Sequence, residues 1–183
     1  MFIHTARLTI RNFKDSDIDA FLAYRNDPEV AKYQGWGIPY TREQGLQYIS
    51  EIKDIESPKA GLWLQVAIEL KETGETIGDL GIRIKKEDAR QVAIGFTIAS
   101  THWRKGYAVE AMTALLEYLF KELNMHRVIA DCDVENIASY RTLEKLGFRR
   151  EAHFVESFFA DGVYTSEYYY GLLQSEWSER DQV

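Results

Sequence analysis

The stretch VAIGFTIASTHWRKGYAVEAMTALLEYLFKEL, residues 92–123, constrains the fold more than any other part of the chain. It opens with an apolar run, residues 92–98, suited to a strand buried at the centre of a sheet. It closes with a helix whose apolar residues Ala108, Ala111, Met112, Leu115, Leu116, Leu119, Phe120 and Leu123 recur at the spacing of one helical face. That face must be buried, and the preceding strand supplies the surface, so the pair predicts a layered α/β arrangement. Between them lies HWRKGYA, a short cationic turn with one glycine.

The rest of the chain fits the same frame. RLTIRNF, residues 7–13, alternates as a half-buried strand does. Asp15 or Ser16 is suited to cap a helix running to about Arg25, and Asp27-Pro28 reads as a second cap with proline at the first helical position. Thr41 with Gln44 has capping-box spacing and opens a helix to about Ile55. Residues 63–69 and 77–84 read as strands joined by the turn KETGE, and with 92–98 they form an antiparallel meander. Asn124 is placed to end the long helix; a strand at 127–132, a helix at 136–146 stopped by Gly147, and two strands within 154–173 around Ala-Asp-Gly complete the reading. The 183 residues hold no repeat, low-complexity run or linker, which predicts one domain over residues 1–183.

Composition narrows the function classes. Hydrophobic residues at 45% and charged residues at 28% are those of a folded globular chain. A net charge of −7 disfavours a phosphate-tracking nucleic-acid face. No apolar run approaches the roughly 20 residues that span a bilayer, and the N-terminus has no secretory pattern. The single Cys132 suits a small core residue in a reducing compartment, so a cytoplasmic location is expected. His4, His102, His126 and His153 lack metal-ligand spacing, and no metal is implied.

A turn feeding a helix N-terminus exposes N–H groups without intrahelical partners, beside the positive end of the helix dipole. Gly106 lets a phosphate approach the backbone, Ala108 keeps the next turn uncrowded, and Arg104 and Lys105 add charge. A phosphate or pyrophosphate is the expected guest. The glycine patterns of a Walker loop and of a dinucleotide fingerprint are both absent. The plain alternative is a polar loop ahead of a core helix.

At this point ARLTIRNF, DPEVAKY, VAIGFTIASTHWRKGYAVEA and NIASYRTLEKLGF, in that order, resemble the GNAT superfamily of acetyl-CoA-dependent N-acetyltransferases, and within it the RimJ/RimL-like branch. The resemblance implies a mixed, mostly antiparallel sheet with helices on both faces and a splayed central strand pair. It implies acetyl-CoA as the acetyl donor, with its pyrophosphate on the backbone of Arg104, Lys105, Gly106, Tyr107 and Ala108. Trp103 stands where many members carry Gln or Arg and where the RimJ/RimL-like branch often carries an aromatic. Phe96, Thr97 and Ile98 would offer unpaired backbone groups to the pantetheine arm.

Asn136 with Ser139 forms a second constellation. If Asn136 caps its helix, the Ser139 hydroxyl sits at the positive helix end. By the resemblance, Asn136 contacts the pantetheine arm and Ser139 lies near the sulfur, where it would protonate the departing thiolate; capping alone is the bland reading. Leu143 occupies the place of the tyrosine acid that other members use, and Tyr140, one residue past Ser139, points about 100° away. A backbone N–H near Phe96 or Thr97 is the expected oxyanion donor. Ala93 stands where relatives often carry a glutamate base, and among the remaining carboxylates, Asp79 and Glu110 included, the sequence singles out none.

The acceptor, a small-molecule amine or a protein N-terminus, is expected between residues 33–40, with Tyr33 and Trp36, and residues 156–167, where Glu156, Asp161 and Glu167 suit a cation. A polyamine, an aminoglycoside and a metabolite amine all fit, and a homodimer is compatible. The rival of another class is a non-catalytic acyl-CoA-binding module that keeps the cleft without the missing tyrosine and glutamate.

Overall fold

The computed structural model describes residues 2–160 and 162–179. Its strands are β1 (Phe2–His4), β2 (Leu8–Arg11), β3 (Leu64–Leu70), β4 (Thr76–Ile84), β5 (Gln91–Ile98), β6 (Arg127–Asp133), β7 (Arg149–Ala160) and β8 (Val163–Leu173). The helices are α1 (Ile18–Arg25), α2 (Pro28–Ala31), α3 (Arg42–Ile52), α4 (Tyr107–Glu117), α5 (Ile137–Lys145) and α6 (Gln174–Glu179). One sheet runs β1-β2-β3-β4-β5-β6-β8-β7. Its pairings are antiparallel except for β5 with β6.

The two faces of the central strands differ. Direct partners across an antiparallel pair share a face. Val66, Leu80 and Phe96 form one such row, and Leu64, Ile82 and Ile94 another. This apolar face packs on α4 and the turn that continues it, where Met112, Leu115, Leu116 and Leu119 are fully buried, each contributing roughly 1.5–3 kcal/mol relative to exposure. The opposite face carries Ala67, Asp79 and Thr97 in one row and Gln65, Gly81 and Gly95 in the next. There α1 and α3 cover Ala67 with Phe13, Ile18, Phe21, Tyr24, Ile49 and Ile52. Trp63 and Gln65 lie against Gly81, and the space beside Gly95 stays open.

Caps and stops behave as their chemistry requires. The Asp27 side chain accepts from Glu29 N–H, Thr41 and Gln44 close a reciprocal capping box, and Asn136 accepts from Ser139 N–H. Asn124 (φ 51°) and Gly147 (φ 87°) are left-handed where helices end. Several boundaries differ from expectation. A 3₁₀ turn, Asp15–Asp17, precedes α1, and neither Asp15 nor Ser16 caps it; Asp17 reaches back to Lys14 N–H at 2.7 Å. The third helix ends at Ile52, α4 continues as a π-helical turn over Tyr118–Glu122, and β7 begins at Arg149.

A buried ion pair ties the first strands to the helical layer. Arg11 donates to both Asp17 oxygens at 2.7 and 2.8 Å, to Glu69 at 2.6 Å, to the Asn12 carbonyl at 3.0 Å and to Thr76 at 3.1 Å.

Candidate active site

The parallel partnership of β5 and β6 covers only Gln91, Val92 and Ala93 against Arg127, Val128 and Ile129. Beyond it the strands diverge, and Ile94 to Thr97 face Ala130 to Cys132 across open space. On the α4 side a cavity of about 640 Å³ fills this gap; on the α1 and α3 side a second cavity measures about 840 Å³. Both are lined by Tyr33, Ile94, Gly95, Phe96, Thr97 and Asp131, so they meet at the divergence.

The antiparallel ladder sets which backbone groups of β5 look into the gap. Bonds from Ala99 N–H to Ile77 O and from Lys85 N–H to Gln91 O fix the phase of the β4–β5 ladder. Alternation then commits the backbone of Thr97 and Gly95 to β4 and turns that of Ile94, Phe96 and Ile98 toward β6. The expected edge at Phe96, Thr97 and Ile98 is thereby corrected. Phe96 faces the cleft with its backbone, Thr97 contributes only its side chain, and the Ile98 carbonyl is taken by Trp103 Nε1 at 2.6 Å.

That indole pins the turn before α4 to the end of β5. Arg104 (φ 61°) and Gly106 (φ 81°) are both left-handed, which curls the backbone into a concave row at the helix start. The first intrahelical donor is Glu110 N–H, to Gly106 O at 3.1 Å. The N–H groups from Gly106 to Val109 therefore lack helical partners, and these residues line the 640 Å³ cavity with Arg104. Lys105 is not among them. Its carbonyl accepts from Arg7 Nη1 at 3.0 Å on the other side of the turn, and its side chain lies in solvent.

Glu110 is likewise occupied in bracing. It accepts from Thr5 Oγ1 at 2.6 Å, Arg7 N–H at 2.8 Å and Arg7 Nε at 2.6 Å, holding β1 and β2 against the start of α4. Burial opposes, but these donors keep its carboxyl below the usual range.

Asn136 and Ser139 line the same cavity from the start of α5. The Ser139 hydroxyl meets the Cys132 thiol, which burial pushes up to about 11 while Ser139 opposes. Cys132 is thus a protonated core residue, 9% exposed. Leu143 is buried in the wall, and Tyr140 turns to Tyr168 at 5.9 Å between ring centroids.

Among the groups lining the 840 Å³ cavity, Arg25, Tyr48, Trp63, Asp131 and Phe158 are ones that sequence reasoning missed. Its floor is Gly81 and Gly95; a Cβ on Gly95 would meet nothing within 4 Å. Trp36, Tyr48, Trp63 and Phe158 supply aromatic walls. Arg25, Asp79, Asp131 and Glu167 also line it. Asp79 is buried and accepts from the Tyr24 hydroxyl at 2.6 Å; burial raises its carboxyl, with Arg25 and Tyr24 opposing. Asp131 stands exposed in the mouth, yet the surrounding protein and the charge of Glu167 raise its carboxyl. Of the expected acceptor residues, Tyr33, Trp36 and Glu167 reach this cavity, Glu156 does not, and Asp161 lies outside the described residues.

Helix-end amides, a half-unpaired strand and a channel between two cavities fit a long thioester with a pyrophosphate at one end and a second substrate entering opposite. That combination defines an acyltransferase that uses coenzyme A. The model of the acetyltransferase (GNAT) domain family matches residues 7–149, and the chain belongs to that family. It is 36% identical over 178 residues to the uncharacterized N-acetyltransferase YnaD of Bacillus subtilis, covering 97% of this chain and 100% of that one. A GNAT-family acetyltransferase structure from Bacillus anthracis superposes with a TM-score of 0.86 at 32% identity, covering 96% and 99% of the two chains. The spermidine N-acetyltransferase of Vibrio cholerae, solved with CoA and spermine, shares the fold at TM-score 0.81 and 22% identity over 95% and 99%. The protein is an acetyl-CoA-dependent N-acetyltransferase that acts on an amine.

Proposed function

We propose that acetyl transfer takes place where the two cavities meet, with the cosubstrate on the α4 side and the amine on the α1 and α3 side. The observation that carries this is the parting of β5 from β6 after three residue pairs, which leaves the Phe96 backbone without a strand partner where the two cavities meet. Acetyl-CoA, when bound, supplies an activated acyl carbon. The amides from Gly106 to Val109 hold its pyrophosphate, with Arg104 adding charge. Asn136 and the edge of β5 hold the pantetheine arm. Phe96 N–H donates to the developing oxyanion. Ser139 Oγ would pass a proton to the departing sulfur and recover one from water reaching the cleft, and Asp131, with its raised carboxyl, would take the proton from the amine. Tyr33 and Trp36 wall the acceptor.

The order of motifs also supports the RimJ/RimL-like branch. A cytoplasmic setting is supported by the single buried thiol and by the lack, among the described residues, of a helix long and apolar enough to cross a membrane. The acceptor is a primary amine on a small molecule or a protein N-terminus.

Thermal unfolding with and without acetyl-CoA tests the reading before the acceptor is known. Saturation at about a hundredfold over Kd adds roughly 2.7 kcal/mol, and a domain of this size should then shift by about 5–11 °C. No shift at millimolar acetyl-CoA refutes the reading.

A further inference from the structure

The acceptor cavity contains a buried cation whose hydrogen bonding is incomplete. Arg25 is 6% exposed, and among the described residues its Nε is the buried side-chain nitrogen or oxygen without a hydrogen-bond partner. Its one carboxylate neighbour, Asp79, lies 4.0 Å from Nη2 and accepts its short hydrogen bond from the Tyr24 hydroxyl instead. Arg11 shows what the same fold does with a structural guanidinium, engaging it with two carboxylates, a hydroxyl and a carbonyl. Burying a guanidinium without such partners is costly, and this one lines the cavity that receives the second substrate.

Aromatic rings limit what Arg25 can do there. Its Cζ lies 3.9 Å from the Trp36 centroid, 4.7 Å from Phe21 and 5.5 Å from both Tyr40 and Tyr48. A ring against the face of a guanidinium does not use its N–H groups, whose fork matches a carboxylate. Asp79 is the direct cross-strand partner of Thr97, which lines both cavities. An anionic oxygen on Arg25 would therefore sit within about a side chain's length of the transfer point. The opposite charge lies at the mouth, where Asp131 and Glu167 face the same space.

We propose that Arg25 selects the acceptor by binding a carboxylate carried on the same small molecule as the amine, so that the substrate is an amino-acid-like zwitterion. The proposal rests on the assignment of the larger cavity to the amine. A polyamine satisfies Asp131 and Glu167 but brings a second cation toward a buried one; an amino acid satisfies both ends.

The test uses the intact enzyme with saturating acetyl-CoA and measures thiol release with the twenty common amino acids, their carboxamides, spermidine and an aminoglycoside. At least one amino acid is expected to react with a kcat/KM about tenfold or more above its own carboxamide, which keeps the amine and loses the charge. Arg25→Met should erase that ratio and Arg25→Lys should restore part of it, with calorimetric acetyl-CoA affinity reporting that each variant is folded. The wild-type acid-to-amide ratio decides even if the variants do not fold. Equal rates for acid and amide, as for a peptide N-terminus, overturn the proposal; so does turnover of spermidine or the aminoglycoside with no amino acid reacting, or no reaction with any of them. Failure of acetyl-CoA to bind would instead overturn the cleft assignment itself, and this proposal with it.

Discussion

Gly106→Ala separates the backbone requirement of the turn from its chemistry. Gly106 has φ 81° and ψ 3°, and a Cβ added there would find only Arg7 Nη2, at 3.4 Å. The contact is ordinary, so the cost is conformational, about 1–2 kcal/mol for an alanine held left-handed. For a chain of this length that lowers Tm by about 2–8 °C. If the turn relaxes to escape the strain, the amides from Gly106 to Val109 rotate away from the anion. Loss of one charge-assisted hydrogen bond then weakens acetyl-CoA by roughly ten- to 150-fold. Gly74→Ala is the matched control: φ is 73°, a Cβ there would meet nothing within 4 Å, and the residue sits in the β3–β4 turn and lines neither cavity. Differential scanning calorimetry and isothermal titration on both variants should show similar losses of Tm with acetyl-CoA affinity reduced only in Gly106→Ala. Equal affinities in the two variants would refute the anion-binding account of the turn.

Ser139→Ala should lower kcat more than it weakens acetyl-CoA, because the backbone N–H that meets Asn136 survives the change while the hydroxyl is lost; a normal kcat on a true substrate clears Ser139 of proton transfer. Asp17 connects the Arg11 cluster to pH. Burial raises its carboxyl, but hydrogen bonds from Arg11, Lys14 N–H and Thr76 win and hold it below the usual range. Its contribution to stability is therefore complete above the unfolded carboxylate value, about 3.9, and disappears as pH falls through the lower folded value. The Tm gap between wild type and Asp17→Asn should be constant near neutrality and narrow below about pH 4; a gap that widens in acid contradicts the assignment.

The legible parts of the sequence were those set by local chemistry. The helix of residues 107–117 announced its buried face, Asp27, Thr41 and Asn136 marked helix starts through side chains that act within a turn, and Asn124 marked a helix end through its left-handed backbone. Features set by long-range register were not legible. Whether Phe96 or Thr97 turns its backbone into the cleft depends on the phase of the β4–β5 ladder, and no pattern within residues 91–98 encodes it. Lys105 belongs to the cationic turn by sequence, yet left-handed residues on either side send its carbonyl to Arg7. Arg25 reads locally as a cation suited to the end of α1; only the return of residues 33–40 places Trp36 on it and closes the pocket. Strand β1, three residues long, is too short to carry a period.

The unequal faces of β3, β4 and β5 bear on how such a scaffold changes over generations. Rows ending in Phe96 and Ile94 are locked into the shared core, where one methylene is felt. Rows ending in Gly95 and Thr97 look into the acceptor cavity from the same strands. Gly95 has open space beyond it, so a larger residue there would reshape the acceptor pocket while the hydrophobic face beneath stays as it is. Alternation along a strand thus places positions with room for a larger side chain beside positions without it, so the acceptor pocket can be reshaped without disturbing the core that holds the fold.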